Sequence, residues 1–156
     1  MTELTLFHIS SLICLPPVSV PVTSVTLTPV LEKLSVMNNT ETNLQCTTSP
    51  ASPTPLVTWY KEALGGASVQ ITDSIEETSG YFNNSSEANN QNNTTVADDE
   101  DLVEVTSTLT YKVDVDDHGT KIYCEASNVE NMDAVKSIEI EINVLGKFSL
   151  LPTMYF

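Results

Sequence analysis

Cys46, Trp59 and Cys124 lie in three runs that read as β-strands: Asn43-Leu44-Gln45-Cys46, Val57-Thr58-Trp59-Tyr60-Lys61 and Ile122-Tyr123-Cys124-Glu125-Ala126. Residues two apart on a strand share a face. Leu44 therefore points with Cys46, Val57 with Trp59, and Ile122 and Ala126 with Cys124. Each of these residues falls on an apolar face. The order Cys, then Trp 13 positions later, then Cys after an Asp117-x-Gly119 turn restricts the chain to few architectures.

The rest of the chain repeats the two-residue period. Thr23 to Thr28 is β-branched and ends at Pro29, as an edge strand can. Thr42 to Thr47 and Leu56 to Lys61 follow, joined by the Pro-rich link 49–55. Gly65-Gly66 reads as a turn and Val69-Gln70-Ile71 as a short strand. From Leu102 to Val113 one face carries Val103, Val105, Ser107, Leu109, Tyr111 and Val113. Lys121 to Ser127 forms another strand. Ile138, Ile140, Ile142 and Val144 alternate with Glu139, Glu141 and Asn143. Strands that are apolar on one face and charged on the other belong to antiparallel sheets wet on one side. No helical period exceeds two turns, so the expected class is all-β.

Three segments fall outside this pattern. Residues 1–22 contain an apolar run, Leu4 to Leu15, preceded by Glu3 and no basic residue. They are expected to be either a poor signal peptide or an irregular start inside a longer gene. Residues 79–101 are rich in Asn and Ser and close on Asp98-Asp99-Glu100-Asp101. They are expected as a disordered insert in a domain spanning 23–145, because such a composition buries too little apolar surface to order. Residues 146–156 form a tail too short to span a membrane.

The net charge of −15 comes with six lysines and no arginine. A polyanion would be repelled, and the bidentate fork that reads guanine or phosphate is missing, so no nucleic-acid partner is expected. Three cysteines are an odd number; Cys14, in the first segment, is left over.

The frame resembles the immunoglobulin superfamily, whose two-sheet sandwich carries a Trp packed on an intersheet disulfide. Within it, Leu44 to Ser49, Val57 to Lys61, Ser107 to Tyr111, Asp117-His118-Gly119 and Tyr123 to Asn128 are most similar to the constant-type domains of nectins, nephrin and the kin-of-irre adhesion receptors. The resemblance implies a Cys46–Cys124 disulfide with Trp59 against it. A bridge 78 positions long would stabilise the fold by about 4.5 kcal/mol in the chain-entropy model, and it requires an oxidising compartment. Two departures stand out. Ile122 occupies the place of the corner tyrosine, two before the second Cys, so that hydrogen bond should be missing. With no Arg available, any ionic clasp on Asp117 is either absent or must use Lys.

The family implies an extracellular, non-enzymatic protein-binding module that serves cell adhesion or recognition. Its partners would be other immunoglobulin-superfamily cell-surface proteins, either the same receptor or a related one. The chain is expected to be a fragment of such a receptor; the alternative is a secreted protein acting as an immune-type or decoy ligand binder, with the Asn-rich segment as a variable recognition surface. Asn-x-Ser/Thr glycan acceptors occur at Asn38, Asn83, Asn84, Asn92 and Asn93. Asp114-x-Asp116-x-His118-Gly119 with Glu125 imitates a calcium loop, but His stands at the fifth position and no helix flanks it. It reads instead as a turn, with Asp117 accepting backbone hydrogen bonds. His118 beside Asp117 has no nucleophile-elbow motif near it, and no catalytic group, metal site or cofactor is expected. Tyr60 and Tyr123 are the candidate contact residues, since aromatics are enriched at interface hot spots.

Overall fold

The alternation read in the sequence builds two sheets. The computed structural model describes residues 19–82, 102–129 and 132–146. Its strands are β1 (Val25–Thr28), β2 (Lys33–Met37), β3 (Glu41–Thr48), β4 (Leu56–Glu62), β5 (Ser68–Ile71), β6 (Ile75–Phe82), β7 (Leu102–Lys112), β8 (Lys121–Ser127), β9 (Val135–Lys136) and β10 (Ile140–Leu145). One sheet runs β1-β3-β7-β6; the other runs β2-β10-β8-β4-β5, with β9 also paired to β8. Every pairing is antiparallel except β2 with β10, which is parallel. A single 3₁₀ turn, Val115–Asp117, is the helical element among the described residues.

The sheets pack through their apolar faces. In β7 the residues alternate buried and half-buried, with Val103, Val105, Ser107 and Leu109 inward. Facing them are Trp59, Ile122, Ile140 and Ile142, all fully buried. Each such aliphatic side chain contributes about 1.5–3 kcal/mol on burial.

Four expectations change. The insert begins later than residue 79, because β6 continues to Phe82 and pairs Phe82 with Leu102; only 83–101 lies outside the described residues. The domain begins earlier than residue 23: Val22 is in the core, and Val20 pairs with Ser52. The last strand breaks at Ser137, leaving Ile138 47% exposed outside it. Ser137 turns inward in its place, its Oγ accepting from the Cys124 amide and donating to the Ile138 carbonyl. Strand β2 escaped the sequence reading. Its side chains are only half-buried on one side, so the apolar signal in Lys-Leu-Ser-Val-Met is weak. Cys14 and the tail beyond Gly146 lie outside the described residues.

Candidate partner-binding face

The scaffold for the face is one layer of the core. Cys46 is directly opposite Ser107 on β3–β7, and Trp59 is directly opposite Cys124 on β4–β8. Two ties therefore cross between the sheets at one level. One is the Cys46–Cys124 disulfide, with Cα atoms 6.5 Å apart. The other is the Trp59 indole N–H donating to Ser107 Oγ at 3.0 Å. That bond accounts for a serine in an otherwise apolar column: it satisfies the one polar atom of a fully buried Trp.

A third tie sits nearer the 3₁₀ turn. Lys61 has the same inward parity as Val57 and Trp59. Its Nζ lies 2.9 Å from Asp117 Oδ1 and 3.2 Å from the Tyr111 hydroxyl, while Tyr111 donates to the same Asp117 oxygen at 2.9 Å. The Asp114 amide donates to Asp117 Oδ2 at 2.8 Å. Burial alone would push the Asp117 carboxyl up; the Asp114 amide, Lys61 and Tyr111 outweigh it and hold it below the usual aspartate range. The hydrogen bond to Asp117 raises Lys61 in spite of its partial burial, and burial raises Tyr111. The clasp on Asp117 thus uses Lys, as the lack of Arg requires. Ile122 is fully buried with no hydroxyl to offer, and Tyr111, one strand earlier, brings a phenol to the corner instead.

Two acids of the calcium-like stretch, Asp114 and Asp117, are committed locally. The Asp114 side chain caps the 3₁₀ turn at the Val115 amide, and Asp117 belongs to the clasp. His118 Nδ1 accepts from the Val144 amide at 3.3 Å. Gly119 has φ +80, where a side chain would be strained, and marks the turn before β8.

On the opposite side of β4 and β8 the outward face takes shape. Tyr60 and Tyr123 are cross-strand partners whose rings stack, centroids 5.3 Å apart and planes 20° apart. Lys136, brought in by the β8–β9 pairing, places its Nζ 3.6 Å from the Tyr123 ring centroid. The Tyr123 hydroxyl donates to Ser68 Oγ at 3.0 Å. Glu139 bridges Lys121 and Lys136 at 2.7 Å each, and these hydrogen bonds hold its carboxyl below the usual range. Tyr123 was expected as an exposed contact, yet it is 5% exposed, because its neighbours cover it. Tyr60, half-buried, keeps the accessible edge of the stack. Of the glycan acceptors, Asn38 is exposed in the turn between β2 and β3; Asn83, Asn84, Asn92 and Asn93 lie outside the described residues.

One residue of structural weight was missed. The Asn128 side chain accepts from the Val22 amide at 2.9 Å, and its amide donates to the Val20 and Pro53 carbonyls at 2.8 and 2.9 Å. It staples the N-terminal segment to the loop before β4. A lone Asn after a strand carries no sequence signal for this, because its partners are 75 to 108 positions away.

Two cysteines bridging facing sheets, a Trp on the bridge and this strand order define an immunoglobulin sandwich. The family description that matches residues 25–132 is the CD80-like C2-set immunoglobulin domain, and the chain belongs to that family. Among solved structures it is similar to one titled "Crystal Structure of Rst D1-D2", with TM-score 0.60 and 19% identity over 81% of this chain and 51% of that one. A second is the full ectodomain (Ig1–Ig3) of mouse nectin-like molecule 4, with TM-score 0.45 and 18% identity over 81% and 34%. The chain thus spans about half the first structure and a third of the second. No curated protein matches it significantly. Among the described residues no helix is long and apolar enough to cross a membrane.

Proposed function

We propose that the chain is an extracellular protein-binding module of a cell adhesion or recognition receptor, and that it acts by contact and not by chemistry. Its partners are other immunoglobulin-superfamily proteins on a cell surface, either a copy of the receptor or a related one. The observation that carries this reading is the outward face of β4 and β8. There Tyr60 is held in place before any partner arrives, by its stack on Tyr123 and by the Lys136–Glu139–Lys121 network behind it. A side chain already ordered loses less entropy on binding. The disulfide fits an oxidising compartment, and exposed Asn38 fits a glycoprotein.

The test is clustering of beads, or of non-adherent cells, that display the receptor. Tyr60→Ala should weaken binding by at least about 2 kcal/mol, the hot-spot range, while the lost stack on Tyr123 lowers stability by about 1–2 kcal/mol and leaves the domain folded. Clustering that is unchanged by Tyr60→Ala, or absent across related receptors, would remove the reading.

A further inference from the structure

We propose that the free edge of β5 accepts an extended, basic segment of a partner protein as an added strand, with one of its Lys or Arg side chains seated in the groove beside β5. The backbone phase fixes which groups are available. The Ala63 amide donates to the Ala67 carbonyl at 3.0 Å, which makes 63/67 a hydrogen-bonded pair in the register that also pairs 61 with 69 and 60 with 70. In an antiparallel ladder bonded and non-bonded pairs alternate. Lys61 and Val69 therefore bond each other, while the N–H and C=O groups of Ser68 and Gln70 point away from β4 into the open edge.

Sheet edges are ordinarily guarded by charge, Pro or cover. Edge strand β6 carries Glu76 and Glu77, β2 carries Lys33, and β1 runs directly into Pro29. Among the described residues strand β5, Ser-Val-Gln-Ile, has no such guard, and its Val69 is 62% exposed. Beside it opens a groove of about 260 Å³, whose lining includes Lys61, Val69, Gln70, Ile71, Asp73 and Tyr111. That is below the roughly 300 Å³ where drug-sized sites begin, yet it has room for one long side chain.

Charge selects which side chain. The Lys61 ammonium is answered by Asp117, whereas Asp73 enters none of the salt bridges among the described residues, and the chain carries −15 overall. A Lys or Arg can lay its apolar stem on Val69 and Ile71 and bring its head to Asp73. Main-chain bonds to Gln70 and Ser68 would give affinity, and the groove would give specificity, the logic of strand addition.

The inference deepens the protein-binding reading, but its test concerns β5 alone, so either can fail while the other stands. Isotope-labelled protein is titrated at low salt with the capped peptide Thr-Val-Arg-Val-Thr and with the same peptide bearing Glu for Arg. The Arg peptide should shift the amides of Ser68 to Asp73 and bind about ten-fold more tightly than the Glu peptide. Gln70→Pro deletes an outward N–H and leaves the β4 ladder intact; it should weaken the Arg peptide by about ten-fold, with the Trp59 indole resonance unmoved as the check on folding. Asp73→Lys should reverse the order of the two peptides. Absence of shifts on β5, equal binding by Gln70→Pro with an unmoved Trp59 resonance, or slow hydrogen exchange at Gln70 in the unliganded protein, meaning an edge already paired, would overturn it.

Discussion

Lys61→Met deletes an ammonium and keeps most of the side-chain stem. Asp117, 5% exposed, then loses one of its three donor groups and retains the Asp114 amide and the Tyr111 hydroxyl. Breaking a buried ion pair from one side costs about 3–5 kcal/mol. Lys61 is itself 36% exposed, so solvent shares in the pair and the expected loss is about 2 kcal/mol. Asp117→Ala removes the common acceptor of all three donors; with about 1.5–3 kcal/mol per charged hydrogen bond, less what water restores to Lys61, the loss is about 4 kcal/mol. Once the acid is gone Lys61 keeps only the Tyr111 hydroxyl, so the double variant should fall little further than Asp117→Ala. Urea titration with the disulfide intact reads this as a shifted midpoint at constant slope. The pH dependence follows from both shifts. The carboxyl is depressed on folding, so its contribution is present above the unfolded value of about 3.9 and is lost as pH falls through the folded one. Lys61 is raised, so its contribution is present below about 10.4 and is lost as pH rises through the folded value. The gap between wild type and Asp117→Asn should therefore close at the acid end. Additivity of the two single variants within about 0.3–0.5 kcal/mol would refute the clasp.

Two further predictions test the other ties. Trp59→Phe strands the buried Ser107 hydroxyl and should cost about 3 kcal/mol, of which Ser107→Ala in the same chain restores about 1 kcal/mol. Asn128→Ala should cost about 2 kcal/mol and speed hydrogen exchange at the Val22 amide, with β4 and β8 unaffected; unchanged exchange there would remove the staple.

What the sequence disclosed follows from where its signal is generated. Strands buried on one face and wet on the other write a two-residue period, so β3, β4, β7 and β8 were legible to within a residue or two. The inward place of Lys61 was also written in that period, next to Val57 and Trp59, but parity does not name a partner 56 positions away. Strand β2 and the Ser137 break were hidden for a related reason. Their geometry is set by neighbouring strands, the one by parallel pairing to β10 and the other by Cys124, and not by their own alternation. The same limit explains Tyr123. An outward position promises exposure only if nothing lies across it, and Lys136 arrives from a strand of two residues that composition does not announce.

The register at the insert leads to a last prediction, which also separates the two functional readings. Residues 83–101 join Phe82 to Leu102, which are already paired across β6 and β7 at the end of an eight-residue ladder. The ends are therefore held one strand spacing apart whatever connects them. Closure entropy grows only as about 3/2 RT ln n, about 0.6 kcal/mol per doubling of length. Replacing these 19 residues by an Asn-Gly turn, which suits a two-residue hairpin, should leave the sandwich folded and at most about 2 kcal/mol more stable. The replacement also removes Asn83, Asn84, Asn92 and Asn93 together with five acids, which takes the net charge from −15 to −10 (−15 + 5). If partners are met through the Tyr60 face, clustering by the shortened chain should match the parent while Tyr60→Ala fails. If the Asn-rich segment is the recognition surface of a secreted binder, the shortened chain should lose its ligand while Tyr60→Ala keeps it. A shortened chain that unfolds would instead show that the ladder does not fix its own register, and the argument from Phe82 and Leu102 would be wrong.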